Sequence, residues 1–219
     1  MWSGLDAGEF GRVVILSLSV SLSATAIAAA LGLPLGAALA VYRFPGRRII
    51  AIATNGLLGL PPVVVGLILY LMLSYAGPLG RLGLLFTPGG MVIAQTMLAT
   101  PIIAALVHRA VQSPWAEYGD ALRVDGASPA RTMAMLLAMA RLPVSTAILA
   151  GFGRTISEVG AILIVGGNIA GYTRTMTTTI VLETSKGNLA MALGLGLVLI
   201  GLSMAVSAAG FVLAERDLR

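Results

Sequence analysis

The sequence predicts an all-α polytopic membrane protein of five transmembrane helices, N-terminus outside and C-terminus inside, on three observations. Of its 219 residues, 58% are hydrophobic and 11% charged, where soluble domains run at roughly 45–50% and 25%; mean hydropathy is +0.95. Five stretches each supply the about 20 mostly apolar helical residues that a bilayer core about 30 Å thick requires. The segments between them alternate in basic content. Arg43, Arg47, Arg48, Arg109, Arg123, Arg131, Arg141, Arg216 and Arg219 fall on one side, and only Arg12, Arg81, Arg174 and Lys186 on the other. Short cytoplasmic loops carry the excess, which sets the orientation.

The first span is expected over Val13–Val41. Met1 to Arg12 hold Asp6 and Glu9 and no basic leader, so this stretch reads as a retained helix and not as a cleaved signal. Gly32-Leu-Pro-Leu-Gly36 and the alanine-rich run Ala24 to Ala30 place small residues at the spacing of close helix packing. The second span, Ile49–Tyr75, contains Pro61 and Pro62. Paired prolines remove backbone donors and bend a helix, which suits a gate or a plain structural kink. Met91–Val107, the third, carries Gln95, Thr96 and Thr100. The fourth, Leu142–Val165, encloses Arg154, Ser157 and Glu158; Arg154 and Glu158 are four residues apart, on one helix face where they can neutralise each other. That pair marks a solute path or a moving interface, or fixes helix packing near the inner surface. Leu189–Leu213 completes the set, and the chain stops soon after it, so no regulatory extension is expected. Residues 1–219 read as one transmembrane domain, with 108–141 as its cytoplasmic loop.

Several function classes are excluded. Cysteine is absent, which removes disulfides, thiolate metal sites and cysteine nucleophiles. The basic residues, thirteen arginines and one lysine, are scattered between apolar stretches without a basic run, so the pI of about 10.2 reflects membrane flanks and not nucleic acid. His108 has no second ligand at matching spacing, so no metal site is expected. A carrier driven by an ion gradient needs intramembrane carboxylates, and Glu158 stands alone beside an arginine. A membrane-embedded enzyme needs clustered acids, histidines or serines, and none is present. Five spans make a complete solute pathway in one copy improbable. A homodimer is the simplest completion.

Between spans three and four, Ser113-Pro114 and Ser128-Pro129 each put a capping oxygen before a proline, which predicts two short helices with a break at Gly126. Asp120-Ala-Leu-Arg-Val-Asp-Gly126-Ala-Ser128 resembles the loop motif of the permeases of ATP-binding-cassette importers, Glu-Ala-Ala, three variable residues, Gly. The resemblance implies a coupling helix that docks on a separate ATPase, with Asp120, Ala121, Gly126, Ala127 and Ser128 at its centre. Asp120 stands in place of the usual Glu and Leu122 in place of Ala, and the closing Leu142-Pro143 arrives about one helical turn late.

Two further stretches resemble the molybdate, tungstate and sulfate group of these permeases, the tungstate branch most: Gly59-Leu-Pro61-Pro62-Val-Val-Val-Gly66 with Gly77-Pro-Leu-Gly80, and Gly151 to Thr175, which includes Arg154, Ser157, Glu158 and Asn168. The resemblance covers nearly the whole chain after about residue 10. It implies a type I importer transmembrane fold, a homodimer with the pathway on its two-fold axis, two ATPase subunits below and an extracytoplasmic oxyanion-binding protein above, in the cell membrane of a prokaryote. The chain lacks a Gly-x4-Gly-Lys-Ser/Thr phosphate loop; it is expected to bind no cofactor, with ATP and Mg2+ on the partner. Pro61, Pro62, Gln95, Thr96, Thr100, Arg154, Ser157, Glu158 and Asn168 are the pathway or gate candidates, with Asn55 beside them. Each polar one serves equally as an interhelical hydrogen bond. Importers of sulfate, phosphate or methionine differ from this reading only in cargo.

Overall fold

The computed structural model describes residues 7–216, all helix, turn and loop with no strand among them. Its helices are α1 (Ala7–Val41), α2 (Arg47–Gly56), α3 (Pro62–Leu73), α4 (Pro88–Val124), α5 (Pro129–Met139), α6 (Arg141–Ile156), α7 (Gly160–Gly166), α8 (Met176–Ser185) and α9 (Leu189–Arg216). α1, α4 and α9 are each long and apolar enough to cross a membrane; α2 with α3 and α5 with α6 pass the same test only as bent pairs.

α1 and α4 form the centre and run parallel. Gly32 lies against Ile103 and Gly36 against Ala104 and Val107; a Cβ at Gly36 would stand 2.6 Å from the Ala104 oxygen. Small residues here let two backbones touch, as their spacing predicts. α6 runs the opposite way, with Gly151 against Ile103 and Thr155 beside Gln95. α9 returns antiparallel to α6, Gly210 meeting Leu149. An apolar core of Ile103, Val107, Val111, Leu122, Leu136 and Ala147 fills the half nearer the α4 C-terminus, and Val65, Leu69, Ala94, Ala161 and Val165 fill the other.

Four boundaries differ from the sequence reading. Ile49–Tyr75 is not one helix: α2 and a 3-10 turn at Leu57–Gly59 meet α3 at 104°. Pro61 and Pro62 lack the N–H groups that would continue the helix, and Pro62 instead opens α3, where no donor is needed. Arg47 holds α2 against α1 by donating from Nε to the Leu39 oxygen at 2.6 Å, so α2 begins at the α1 C-terminus and caps it. Second, Met91–Val107 is the middle of one 37-residue helix, about 55 Å long. Ser113-Pro114 starts nothing; Pro114 lies inside α4. Third, Leu142–Val165 breaks at Ser157–Val159 into α6 and α7. Pro143 sits in the first turn of α6, where proline is tolerated. Fourth, the stretch between the last two expected spans, 166–188, contains a further helix, α8, whose Met176 to Thr179 are buried.

Candidate functional site

Two regions hold the sequence-predicted residues, one at the C-terminal end of α4 and one about 35 Å back along it. At the end of α4 the helix closes on a left-handed turn. Gly126 has φ +68°, and the Ala127 N–H donates to the Leu122 oxygen at 3.1 Å, the six-to-one bond of a Schellman turn. Ser128 then accepts from the Arg131 N–H and starts α5. Asp120 projects fully into solvent, paired with Arg123 at 3.1 Å, and Ala121 and Val124 are exposed beside it. Arg123 stacks on Trp115 at 4.8 Å, and Gly119 lets the indole lie flat on the helix, since a Cβ there would stand 2.8 Å from the ring. The result is a rigid helix tip that presents small and charged residues on one side of a fixed turn.

The other region is where α1, α4 and α6 cross. Gln95 is 1% exposed and donates from Nε2 to the Thr155 oxygen at 2.7 Å. The Thr155 hydroxyl lies 3.0 Å from that of Thr25 and within bonding distance of the Ser21 oxygen. Thr96 donates to the Ala24 oxygen at 3.4 Å. These bonds tie three helices together where lipid offers nothing in exchange. The Gln95 Oε1 is buried without a partner. Thr100 bonds the Thr96 oxygen of its own helix and, with Thr96, Thr54, Leu57 and Leu60, lines a mostly apolar cavity of about 540 Å³ between α1, α3 and α4.

Directly beyond Thr155 lies the break between α6 and α7. Glu158, 2% exposed, spans it: Oε2 pairs with Arg154 of α6 at 3.3 Å, and Oε1 accepts the Ala161 N–H of α7 at 3.1 Å. The pair sits toward the α4 N-terminus, level with Gln95, and so away from the surface where the packing alternative placed it. Ser157 is exposed and bonds back to the Gly153 oxygen. Pro61 and Pro62 come close through Gly160, which faces Val63, and through Gly66, where a Cβ would stand 2.8 Å from Ala161 Cα. So the two interrupted segments are packed together just past their interruptions. Asn168 stands apart in the loop after α7, at φ +50° with its Oδ1 buried and unpaired; asparagine tolerates that conformation better than most residues. Asn55 accepts from Arg109 at 2.7 Å and ties α2 to α4.

Sequence reasoning missed the partners that make these groups a network. Ser17, Ser21 and Thr25 form a buried stripe on α1 at i, i+4, i+8, a legible signal in an otherwise apolar helix. Ser17 accepts the Met176 N–H at the start of α8, and Thr177 donates to the Glu158 backbone oxygen. At the far end of α8, Lys186 donates to Glu183 at 2.8 Å and Asn188 at 3.0 Å. The Lys186 hydrogen bond first, then that of Asn188, holds the Glu183 carboxyl below the ordinary glutamate range against the opposing effect of burial. His108 Nε2 lies 3.2 Å from Gln112 Nε2; no group of three metal-ligating side chains exists among the described residues.

Residues 32–216 match the family described as binding-protein-dependent transport system inner membrane component. The chain is 41% identical over 209 residues to a "probable anion ABC transporter permease protein" of Haloferax volcanii, covering 93% of this chain and 90% of that protein. It is 37% identical over 203 residues to a tungstate uptake system permease protein of Peptoclostridium acidaminophilum, covering 93% and 89%. A molybdenum transport system permease protein of Mycobacterium tuberculosis is 29% identical over 210 residues, covering 91% and 78%.

Proposed function

Because this chain belongs to the family of binding-protein-dependent transport system inner membrane components, we propose that it is the permease of an ATP-driven importer that moves an oxyanion, tungstate first and molybdate second, into the cytoplasm. It works as a homodimer in the cell membrane of a prokaryote, with two ATPase subunits at the Asp120–Ser128 turn and an extracytoplasmic binding protein at the opposite face. Each copy crosses the membrane five times, N-terminus outside, counting α2 with α3 and α6 with α7 as interrupted spans. The alternating directions of α1, α6 and α9, and the parallel course of α1 and α4, support this count.

The observation that carries the reading is the continuity of α4. One helix bears the docking turn at its tip and Gln95, Thr96 and Thr100 in its membrane half. ATP bound at the partner subunits draws the two docked tips together; α4 passes that displacement to the crossing with α1 and α6. Helices that touch through Gly32, Gly36 and Gly151 shift between discrete packings, because such interfaces do not deform continuously. The interruptions at Leu57–Pro61 and Ser157–Val159 let α3 and α7 turn together, and the cavity opens to the other side. ATP and Mg2+ act on the partner, and this chain supplies the route and the levers. The cargo assignment is supported by the anion, tungstate and molybdenum names of the relatives. The test is reconstitution with ATPase and binding-protein partners in proteoliposomes, following uptake of tungstate, molybdate and sulfate. ATP-dependent uptake that favours tungstate and fails in Gly126→Asp agrees with the reading; gradient-driven uptake without an ATPase sinks it.

A further inference from the structure

The start of α1 and the loop before α8 enclose a cavity of about 230 Å³, lined among others by Glu9, Arg12, Ser19, Tyr172 and Arg174. It lies at the end of α1 remote from the docking turn. Arg174 is four-fifths buried, with 19% of its side chain exposed; its Nη1 donates to Glu9 Oε1 at 3.2 Å, and its Nε is buried with no partner. Buried guanidinium donors without an acceptor are exceptions in folded proteins and call for a ligand or a water. Arg12, on the cavity wall, is exposed and makes no ion pair among the described residues.

Resting on the importer reading, we propose that this cavity is a low-affinity capture site for the tetrahedral oxyanion, with the guanidinium groups of Arg174 and Arg12, both on its wall, as the donors. A planar guanidinium fork matches an oxyanion edge better than a point charge does. Glu9 has two effects: it fixes the orientation of Arg174, and it leaves two arginines and one glutamate with a net charge of only +1. A site this weakly charged binds without trapping, which conduction requires. The route inward is marked on the same face of α1, where Ser19 and Ser23 follow Arg12 at seven and eleven positions and are both exposed. The Ser19 hydroxyl now donates to the Leu16 oxygen at 3.0 Å and can turn to the anion. Tyr172, half exposed, offers a second hydroxyl from the opposite wall.

The experiment uses the assembled transporter in proteoliposomes, with Arg12→Gln, Arg174→Gln and Arg174→Lys. It reads initial ATP-driven tungstate uptake and binding-protein-stimulated ATP hydrolysis on the same vesicles. Each Gln variant is expected to slow uptake about tenfold, the scale of one charge-assisted hydrogen bond, while hydrolysis stays within about twofold and Arg174→Lys recovers part of the loss. Arg12→Gln keeps the test sharp, because Arg12 is exposed and makes no ion pair among the described residues. Uptake within about twofold of wild type in both Gln variants overturns the capture site, as does a parallel loss of uptake and hydrolysis, which assigns the arginines to assembly. A wild-type protein without ATP-dependent uptake fails the importer reading itself, and that result is visible before any variant is compared.

Discussion

Glu158 joins the two halves of an interrupted helix through its two carboxylate oxygens, and a double-mutant cycle with Arg154 measures how much that junction holds. Removing one partner of a fully buried ion pair costs about 3–5 kcal/mol. Here the exposures are unequal, 2% for Glu158 and 31% for Arg154. In Glu158→Gln the stranded cation still reaches water or a headgroup, and the amide oxygen still accepts the Ala161 N–H. That variant should lose about 1–2 kcal/mol. Arg154→Leu strands the carboxylate in the more deeply buried position, and should lose about 2–4 kcal/mol. The double variant removes both charges and should fall well short of the sum, with a coupling of about 1–3 kcal/mol. Reversible unfolding in detergent micelles reads all four corners of the cycle. Additivity within about 0.5 kcal/mol would refute the reasoning, because it would mean that the two groups act independently across the break. Glu158→Ala, which also loses the acceptor for Ala161, should be the least stable of the Glu158 variants.

The other predictions concern packing, the turn and pH. Gly36→Ala should destabilise by about 1–3 kcal/mol, the usual cost of overpacking, since the new methyl meets the rigid Ala104 oxygen; an unchanged unfolding midpoint would show that α1 and α4 are not held this closely. Gly126→Val should cost about 1–2 kcal/mol from the left-handed backbone alone and, in reconstituted transporter, uncouple ATP hydrolysis from uptake; Gly126→Asn should recover most of both. Glu183, held below the ordinary carboxyl range by Lys186 and Asn188, contributes stability that is fully present above the unfolded glutamate value near 4.3 and is lost as pH falls through the lower folded value. Thermal scans from pH 6 downward should therefore show wild type converging on Glu183→Gln only at the acid end; a constant gap across the range would rule the linkage out.

The long helices were legible in the sequence because one property fixed them. Apolar residues that must satisfy their own backbone form helices, and α1, α9 and the Met91–Val107 part of α4 needed nothing more. The Gly32 and Gly36 contact followed from spacing. The interruptions were not legible in the same way, because hydropathy records which residues leave water and says nothing of where backbone hydrogen bonds stop. Ile49–Tyr75 and Leu142–Val165 are apolar enough to be continuous, and in both the chain turns where a side chain or a proline gives the backbone an alternative: Pro61 and Pro62 in one, the Ser157 hydroxyl and the Glu158 carboxylate in the other. The threonines at the start of α8 were not legible either. Thr175, Thr177 and Thr179 read as polar, yet each is buried with its hydroxyl bonded to a neighbouring hydroxyl or to main-chain oxygen.

Ser113-Pro114 and Ser128-Pro129 are the same dipeptide with opposite outcomes, and the difference lies in what surrounds each. Before Ser128 the helix has already ended: Gly126 takes the left-handed conformation at no steric cost, the Ala127 N–H closes on Leu122, and the serine meets a chain free to begin again. Before Ser113 nothing has ended. Ala110 and Val111 are packed in the core, Trp115 lies against the same cluster, and Leu122 follows two turns later on that face. Losing the one hydrogen bond that Pro114 cannot donate is a smaller cost than withdrawing those side chains from their contacts, so α4 continues past the proline. That continuity joins the Gly126 turn to the Gln95–Thr100 region by a single helix, and a capping signal read alone would have placed a joint there.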